Sequence, residues 1–314
     1  MMLKDINLIG IAGAGTMGSG IAQIFARFGK FVIINDIKEE YLTKSRNLID
    51  IFNKSLIEEG LMNENEVENI FSKIKFSTDK NEFKNCDLII ECIVEKLEIK
   101  QDFWKELEEI AKKDAYFATN TSGLSINQIS SKINDKSRFI GMHFWNPAHI
   151  IPLVELIRGE ETSDEMVNDL KSLLETIGKQ AVVVNRDVPG FIGNRLQFAA
   201  FREALHIVEQ GIASVEDVDK AMKYGPGFRY PIIGPLETAD LGGLDTFYNI
   251  SSYLFKDLGD EKEVPKMLEE LIENNYLGVK TKKGFYDYSN GRDEEAIKRR
   301  DKLLFEMIKH ISNK

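Results

Sequence analysis

Short apolar runs alternate with longer amphipathic stretches in the first half of the chain. Apolar runs rich in β-branched residues are typical of buried strands, and apolar positions three and four apart are typical of helices packed on a sheet. The alternation therefore predicts an α/β fold, a doubly wound sheet with helices on both faces. Strands are predicted near Asn7–Ile11, Phe31–Asn35, Ile74–Phe76, Leu88–Ile93, Tyr116–Ala118, Phe139–His143, Leu153–Ile157 and Ala181–Val184. Helices are predicted over Glu39–Glu59, Glu64–Phe71, Lys96–Lys112 and Asp164–Gly178.

The strand pattern stops after this region, and the second half of the chain has only helical periodicity. We place the boundary in the segment Asn185–Gly190, which gives a sheet domain over residues 1–186 and an all-α domain over residues 187–314. The all-α part is too small for many separate cores, so we expect it to pack against the sheet domain and a second copy of itself. Its helices are predicted over Phe191–Gln210, Val215–Met222, Asp245–Leu258 and Pro265–Asn274.

A glycine-rich turn follows the first predicted strand and opens a helix. The pattern Gly-x-Gly-x-x-Gly in a strand–turn–helix context is the Rossmann-type dinucleotide fingerprint, in which a pyrophosphate meets the helix N-terminus. An acidic residue at the end of the second strand would accept from a ribose 2′-hydroxyl and repel a 2′-phosphate, which favours NAD over NADP. The alternative is an ordinary glycine turn with a surface aspartate. The candidate cofactor-binding positions are Gly13, Gly15, Thr16, Met17, Gly18 and Asp36.

Composition excludes several classes of protein. The 314 residues carry a net charge of 41 − 51 = −10, which argues against nucleic acid or an anionic membrane as a partner. No apolar run reaches the roughly 18 residues of a membrane helix, and the N-terminus has no signal-peptide pattern. Cys86 and Cys92 flank a predicted strand, so we expect neither a disulfide nor a metal site there. Two cysteines in a chain of this length fit a cytoplasmic protein.

Candidate catalytic groups lie at the ends of short apolar runs between Thr119 and Glu155. A histidine with a carboxylate partner can take a proton at neutral pH and hold the resulting charge, and His143 with Glu155 is the candidate pair. Together with a dinucleotide, such a pair predicts hydride transfer at an alcohol carbon. The alternative for His143 is a structural histidine of the core. His149, His206 and His310 are interpreted as structural or surface residues.

Five motifs stand out between Leu8 and about Tyr288. They are GAGTMGSGIA at Gly13–Ala22, NTSGLSI at Asn120–Ile126, HFWNP at His143–Pro147, DVPGFIGNRL at Asp187–Leu196 and KTKKGFY at Lys280–Tyr286. Together they resemble the 3-hydroxyacyl-CoA dehydrogenase family. The resemblance implies an N-terminal NAD domain, a C-terminal helical domain that forms a homodimer, an active site between them, and an acyl-CoA substrate of fatty-acid or butanoate metabolism.

The same resemblance implies roles for individual residues. The positions that match the family's catalytic set are Ser122, His143, Glu155 and Asn194, with Ser122 and Asn194 also contacting the substrate. Asn146 is a further substrate-side candidate, and the match adds Glu95, Lys100 and Asn120 to the cofactor site. Ser122 and Asn194 have a simpler interpretation as turn or cap residues, and Glu95 with Lys100 as a solvated helix pair. The lysines at 280, 282 and 283 are left out of the site.

One segment departs from the usual acyl-CoA pattern. Tyr224–Pro235 reads YGPGFRYPIIGP, and this longer form with an arginine resembles relatives that oxidise free hydroxy acids, the L-gulonate (lambda-crystallin) and carnitine dehydrogenase type. Arg229 would clamp a free carboxylate or pair with an acidic neighbour inside its own domain. Because the motifs HFWNP and KTKKGFY resemble the acyl-CoA branch, we favour a short acyl-CoA such as 3-hydroxybutyryl-CoA. A catalytically silent structural relative is the third possibility.

Overall fold

The computed structural model describes residues 4–311 and contains one eight-stranded sheet in its first part. The strand order is β3-β2-β1-β4-β5-β6-β7-β8, so the chain starts in the middle of the sheet and winds outward in both directions. This confirms the predicted doubly wound, Rossmann-type sheet. The strands are β1 (Leu8–Ala12), β2 (Phe31–Asn35), β3 (Ile74–Ser77), β4 (Leu88–Glu91), β5 (Tyr116–Thr119), β6 (Phe139–Phe144), β7 (Leu153–Arg158) and β8 (Gln180–Val184).

All neighbouring strands are parallel except β6 and β7, which run antiparallel. The carboxyl ends of β1, β2, β4, β5 and β6 therefore share one edge of the sheet, and β7 begins at that edge. In open α/β sheets this edge is where ligands bind. The register of the antiparallel pair sets His143 directly opposite Glu155.

Helices cover both faces of the sheet. On one face, buried residues of α1, α2 and α6 join a large core, and on the other face a second core contains Trp104 from α4 together with residues of α5. The helices of this part are α1 (Thr16–Arg27), α2 (Glu39–Glu58), α3 (Glu66–Ser72), α4 (Leu97–Ile110), α5 (Ile126–Ile129) and α6 (Asp164–Thr176).

The remainder of the described chain is helical, as predicted, with three helices that the sequence pattern did not predict. The unpredicted ones are α9, α10 and α13. Among residues 4–311, no helix is long and apolar enough to cross a bilayer. The helices are α7 (Gly193–Glu209), α8 (Val215–Tyr224), α9 (Pro226–Arg229), α10 (Pro235–Gly242), α11 (Leu244–Leu254), α12 (Lys266–Glu273) and α13 (Arg292–Ile311).

The chain divides into two compact units at places that differ from the predicted boundary. The first unit runs to Ile192 and resumes at Arg300, and the second spans Gly193–Arg299. The predicted boundary at residues 186 and 187 falls six residues earlier, because Ile192 is still bound to the sheet through Glu155. The end of α13 belongs to the first unit because Phe305 is buried in its core. The sequence of α13 does not show which part of the chain its apolar residues pack against.

Candidate active site

The glycine loop after β1 has a backbone that only glycine fits at its first position. Gly13 has a φ of +103°, and its N–H donates to the carbonyl of Asn35 over 2.8 Å. A Cβ at this position would lie 2.6 Å from the carbonyl oxygen of Cys92. The turn is therefore held tightly between the ends of β1, β2 and β4, where a loop that cradles phosphates must lie.

The other two glycines suit the same ligand. A Cβ on Gly18 would lie 2.0 Å from the carbonyl oxygen of Gly13, so the start of α1 can pack against the turn only with glycine there. A Cβ on Gly15 would meet open space. The first turn of α1, which includes Thr16 and Met17, has no acidic residue and no side-chain cap. Its N–H groups and dipole thus suit a pyrophosphate.

Asp36 follows β2 and ties the glycine loop to it. Its Oδ2 accepts from the backbone N–H of Ala14 over 2.7 Å, and its Oδ1 accepts from the N–H of Ile37 over 2.7 Å. A carboxylate has about four lone-pair directions, so two acceptor positions remain for ribose hydroxyls. The negative charge at this position disfavours a 2′-phosphate. The loop and Asp36 together fit NAD.

A buried group of charges lies at the end of β4. Glu91 Oε1 accepts from Lys100 Nζ over 2.5 Å, and Glu91 Oε2 accepts from the hydroxyl of Thr119 over 2.8 Å. Lys100 also lies 3.1 Å from Glu95 Oε2. The side chains of Glu91 and Lys100 are 0% and 1% exposed, so the interpretation of Lys100 as part of a solvated helix pair is wrong. Burial opposes a charge on Lys100, but its two carboxylate neighbours outweigh this and raise its pKa.

The loop after β5 is held by Glu95. Thr121 donates its hydroxyl to Glu95 Oε1, and the backbone N–H of Ser122 donates to the same oxygen over 3.2 Å. Asn120 lies at the start of the loop, and its Oδ1 accepts from the backbone N–H of Phe144 over 2.8 Å. The ends of β5 and β6 are thereby joined beside His143. Ser122 itself is exposed on this loop.

His143 and Glu155 form a buried hydrogen-bonded pair at this edge of the sheet. His143 Nδ1 lies 2.8 Å from Glu155 Oε2, and the two side chains are 7% and 0% exposed. An ionised carboxylate only accepts, so the Nδ1 nitrogen donates and Nε2 is left as the basic nitrogen. Phe191 packs edge-on against the imidazole with ring centroids 5.7 Å apart. The arrangement suits a proton acceptor whose charge is balanced by Glu155.

Two further N–H groups bind Glu155. The backbone N–H of Ile192 donates to Oε1 over 2.9 Å, and the indole Nε1 of Trp145 donates to Oε2 over 3.1 Å. Neither contact was predicted from the sequence, because only the three-dimensional path of the chain brings residue 192 back to β7. Asn194 follows two residues later in the first turn of α7. Its predicted contact with substrate stays a prediction.

The remaining histidines have other surroundings. His206 pairs with Glu261 over 2.6 Å in the second unit, a carboxylate partner that the sequence did not suggest. A carboxylate partner alone therefore does not identify a catalytic histidine. His149 stacks on Phe52 with centroids 4.2 Å apart, and burial lowers its pKa to about 4, so it is neutral at pH 7. His310 lies on an exposed turn of α13.

The remaining sequence predictions concern Asn146, the two cysteines and the lysine cluster. Asn146 is exposed in the loop after β6. Cys86 and Cys92 are free thiols, and burial raises the pKa of Cys86 to about 12. Lys282 pairs with Asp293 in the second unit. Among the described residues, no group of three or more His, Cys, Asp or Glu side chains is placed to hold a metal ion.

The surroundings of Arg229 differ from one of the two predictions, which gave it an acidic neighbour inside its own domain. Its side chain is exposed at the end of α9, and within residues 4–311 it forms no ion pair. The expected acidic neighbour inside the domain is therefore not found in the described part of the chain. The guanidinium is open to solvent at a position where an anion can reach it.

Comparison with known proteins decides the family. The family model of the 3-hydroxyacyl-CoA dehydrogenase NAD-binding domain matches residues 8–188, and that of the 3-hydroxyacyl-CoA dehydrogenase C-terminal domain matches residues 190–288. The chain belongs to the 3-hydroxyacyl-CoA dehydrogenase family. This confirms the resemblance seen in the motifs, and it makes the protein an NAD-dependent oxidoreductase.

Individual relatives of this family point to two kinds of substrate. A probable 3-hydroxybutyryl-CoA dehydrogenase of Deinococcus radiodurans is 39% identical over 89% of this chain and 99% of its own. The 5-formyl-3-hydroxy-2-methylpyridine 4-carboxylate 5-dehydrogenase of Mesorhizobium japonicum is 33% identical over 92% of each chain.

Solved structures give the same two kinds of enzyme. The (S)-3-hydroxybutyryl-CoA dehydrogenase PaaH1 of Ralstonia eutropha is 36% identical, with a TM-score of 0.76 over 91% of this chain and 100% of its own. A 5-formyl-3-hydroxy-2-methylpyridine 4-carboxylic acid 5-dehydrogenase, described as an NAD+-dependent dismutase, is 31% identical, with a TM-score of 0.91 over 98% of this chain and 99% of its own.

Proposed function

We propose that the protein interconverts a short 3-hydroxyacyl-CoA and the corresponding 3-oxoacyl-CoA, with 3-hydroxybutyryl-CoA and acetoacetyl-CoA as the first candidates. The buried His143–Glu155 pair carries this proposal, because it lies at the same sheet edge as the glycine loop. Relatives named 3-hydroxybutyryl-CoA dehydrogenase at up to 39% identity support the choice of substrate. We further propose that the protein works in the cytoplasm in fatty-acid or butanoate metabolism.

In the proposed mechanism, the glycine loop and Asp36 would hold NAD, which would supply the hydride acceptor for carbon 3 of the alcohol. His143 Nε2 accepts the proton of the 3-hydroxyl, since Nδ1 is committed to Glu155. Glu155 holds the imidazole in this tautomer and balances the imidazolium that forms. Ser122 and Asn194 are proposed to donate to substrate oxygens, where charge changes in the transition state. Reduction runs the same proton transfer in reverse.

A second function is favoured by one comparison and one residue. The chain aligns over 98% of its length, at a TM-score of 0.91, with a dehydrogenase of a pyridine carboxylic acid. The match to the family models ends at residue 288, before α13. The alignment with the pyridine carboxylic acid dehydrogenase extends beyond that residue. Arg229 is exposed and suited to a carboxylate. The alternative is therefore oxidation of a free acid, of which L-gulonate and L-carnitine are the first candidates.

The variant Arg229→Met separates the two functions. We expect acetoacetyl-CoA to be reduced by NADH far faster than any free acid is oxidised, and the variant to keep that rate within about twofold. Its melting temperature should also stay close to that of the wild type, because an exposed side chain without an ion pair contributes within about 0.5 kcal/mol to stability. If a free carboxylate is the true ligand, kcat/KM should instead fall roughly ten- to a hundredfold.

Initial rates are measured from the change in NADH absorbance. The substrates are acetoacetyl-CoA, L-3-hydroxybutyryl-CoA, L-carnitine, L-gulonate and 5-formyl-3-hydroxy-2-methylpyridine 4-carboxylate. Arg299→Met is the matched control, because this arginine is also exposed and lies in the second unit. Rapid oxidation of one free acid, lost only in Arg229→Met, would refute the acyl-CoA substrate. Absence of turnover with every compound would favour a catalytically silent relative.

We also propose that the second unit forms a homodimer. It exposes an unusual number of large apolar side chains, including Leu236 at 82%, Tyr248 at 76% and Ile232 at 73%, and such patches on a soluble chain mark interaction sites. Sedimentation equilibrium should give twice the chain mass of 35.8 kDa. Leu236→Lys should weaken the dimer, whereas Ile51→Lys on α2 of the first unit should not. A wild-type monomer at micromolar concentration would contradict this proposal.

A further inference from the structure

Trp145, the residue directly after β6, contacts the acid–base pair through its indole N–H. Its Nε1 lies 3.1 Å from Glu155 Oε2, the same oxygen that lies 2.8 Å from His143 Nδ1. Trp145 is the second residue after His143 and the first after β6, and its indole and the imidazole both reach the carboxylate of Glu155. The antiparallel register places Glu155 opposite His143. The contact thus follows from the local geometry of β6 and β7.

We propose that Trp145 is a positioning residue for the His143–Glu155 pair. This inference rests on the proposed function, in which His143 exchanges the substrate proton. An indole N–H can only donate, so Oε2 must present a lone pair to Trp145 and cannot carry a proton in that direction. The indole thereby favours the ionised form of Glu155 and restrains the orientation of its carboxylate. The imidazole keeps its proton on Nδ1, and Nε2 stays available to the substrate hydroxyl.

The burial of Glu155 makes each of its donors important. The carboxylate is 0% exposed, and a buried charge is tolerated only when hydrogen bonds replace its lost hydration. Its N–H donors include the Ile192 backbone, the His143 ring and the Trp145 indole. Without the indole, more of the negative charge is left for the imidazole to balance. The protonated imidazole then becomes more favourable, and the orientation of the carboxylate is less constrained.

Several charged groups on the elements next to the pair have partners of their own. On β5 to β8, the titratable side chains besides the pair are Tyr116, which donates to Asp169 over 2.7 Å, and Arg158, which lies 2.6 Å from Asp164. In the segment before Ile192, Asp187 accepts from Ser125 over 2.5 Å. The indole of Trp145, by contrast, donates directly to the carboxylate of the pair.

Trp145→Phe tests the inference, because it keeps an aromatic ring and removes only the donor. We expect kcat to fall roughly tenfold, the lower end of what a hydrogen bond to a charged group contributes, while KM for both substrates changes less than about twofold. The acidic limb of the pH profile for alcohol oxidation should move to higher pH, since the imidazolium gains a stronger counter-charge. Trp104→Phe is the control, because Trp104 is the other tryptophan and its ring packs against Phe117 and Phe139 in the core.

A double-mutant cycle shows whether Trp145 acts through Glu155. If Trp145 acts only through the carboxylate of Glu155, the effects of the two substitutions do not add. In a Glu155→Gln background, Trp145→Phe should therefore change kcat less than about twofold. A general packing defect would instead lower kcat by the same factor in both backgrounds. Equal factors, or an unchanged kcat and pH profile in Trp145→Phe alone, would overturn the inference.

A spectroscopic measurement needs no change at Trp145. In Trp104→Phe, Trp145 is the sole indole of the chain, with its ring centroid 6.0 Å from that of His143. Protonation of the imidazole should quench its emission, with the same midpoint as the pH profile of kcat/KM, and the titration should vanish when His143→Ala is added. A flat titration overturns the inference. A normal titration in an enzyme whose turnover does not need His143 overturns only the proposed function.

Discussion

We expect His143→Ala to lower kcat by roughly 10²–10⁴-fold, the range that general acid–base groups contribute. The imidazole is buried, its Nδ1 is bound to Glu155, and its Nε2 is the nitrogen left to exchange a proton with substrate. Binding of NADH should survive, because the glycine loop and Asp36 lie at the ends of β1 and β2 and make no contact with this ring. Steady-state rates with acetoacetyl-CoA and an NADH titration measure the two quantities.

His206→Ala is the matched control for this experiment. The His206–Glu261 pair has the same kind of Nδ1–carboxylate contact, at 2.6 Å, but it lies in the second unit and away from the glycine loop in the sequence. Turnover in this variant should stay within about twofold of the wild type, because His206 is not the proton acceptor of the proposed mechanism. Near-normal turnover in His143→Ala, or an equal loss in both variants, would remove His143 from the mechanism.

The second large effect is expected on the stability of the fold, at the buried ion pair between Glu91 and Lys100. Glu91→Gln leaves the ammonium of Lys100 buried with only the half-exposed Glu95 as a counter-charge. Removing one partner of a buried ion pair costs about 3–5 kcal/mol. A loss of this size should lower the melting temperature by roughly 10 °C for a protein of this size. Thermal unfolding of the wild type and the variant measures it.

Two further variants decide whether the uncompensated charge is the cause. Adding Lys100→Met to Glu91→Gln removes that charge, so the double variant should recover much of the lost stability. Asp50→Asn breaks the exposed pair between Asp50 and Lys54, which lies at 2.7 Å on α2, and should cost less than about 0.5 kcal/mol. A melting temperature for Glu91→Gln equal to that of Asp50→Asn would show that the buried pair contributes little.

Most of the sheet could be predicted from the sequence because its strands are short apolar runs separated by helices with a clear period. All eight predicted strands are present, and the predicted helices of the first unit occur at nearly the same residues. The short helices α9 and α10 were not predicted because they lie among glycines and prolines. The burial of Phe305 could not be predicted because the apolar residues of α13, which include Leu304 and Ile308, do not show which distant part of the chain they pack against.

The sequence predicted only part of the candidate site. Sequence pattern and family motifs suggested His143 with Glu155, and the structure places the two side chains opposite each other on β6 and β7. A spacing of twelve residues does not by itself indicate an antiparallel pair. The burial of Lys100 was missed because a lysine on an amphipathic helix normally faces solvent. The indole of Trp145 was missed because a motif letter does not show where a side chain donates.

The return of the last helix to the first unit has a consequence for protein synthesis. Phe305 is 2% exposed in the core formed by residues far ahead of it in the chain. The ribosome must add roughly a hundred residues after Ile192 before this phenylalanine is made. At about 5–20 residues per second, that interval lasts roughly 5–20 s. The nucleotide-binding unit therefore leaves the ribosome with an exposed apolar site, which is filled only after α13 has been made.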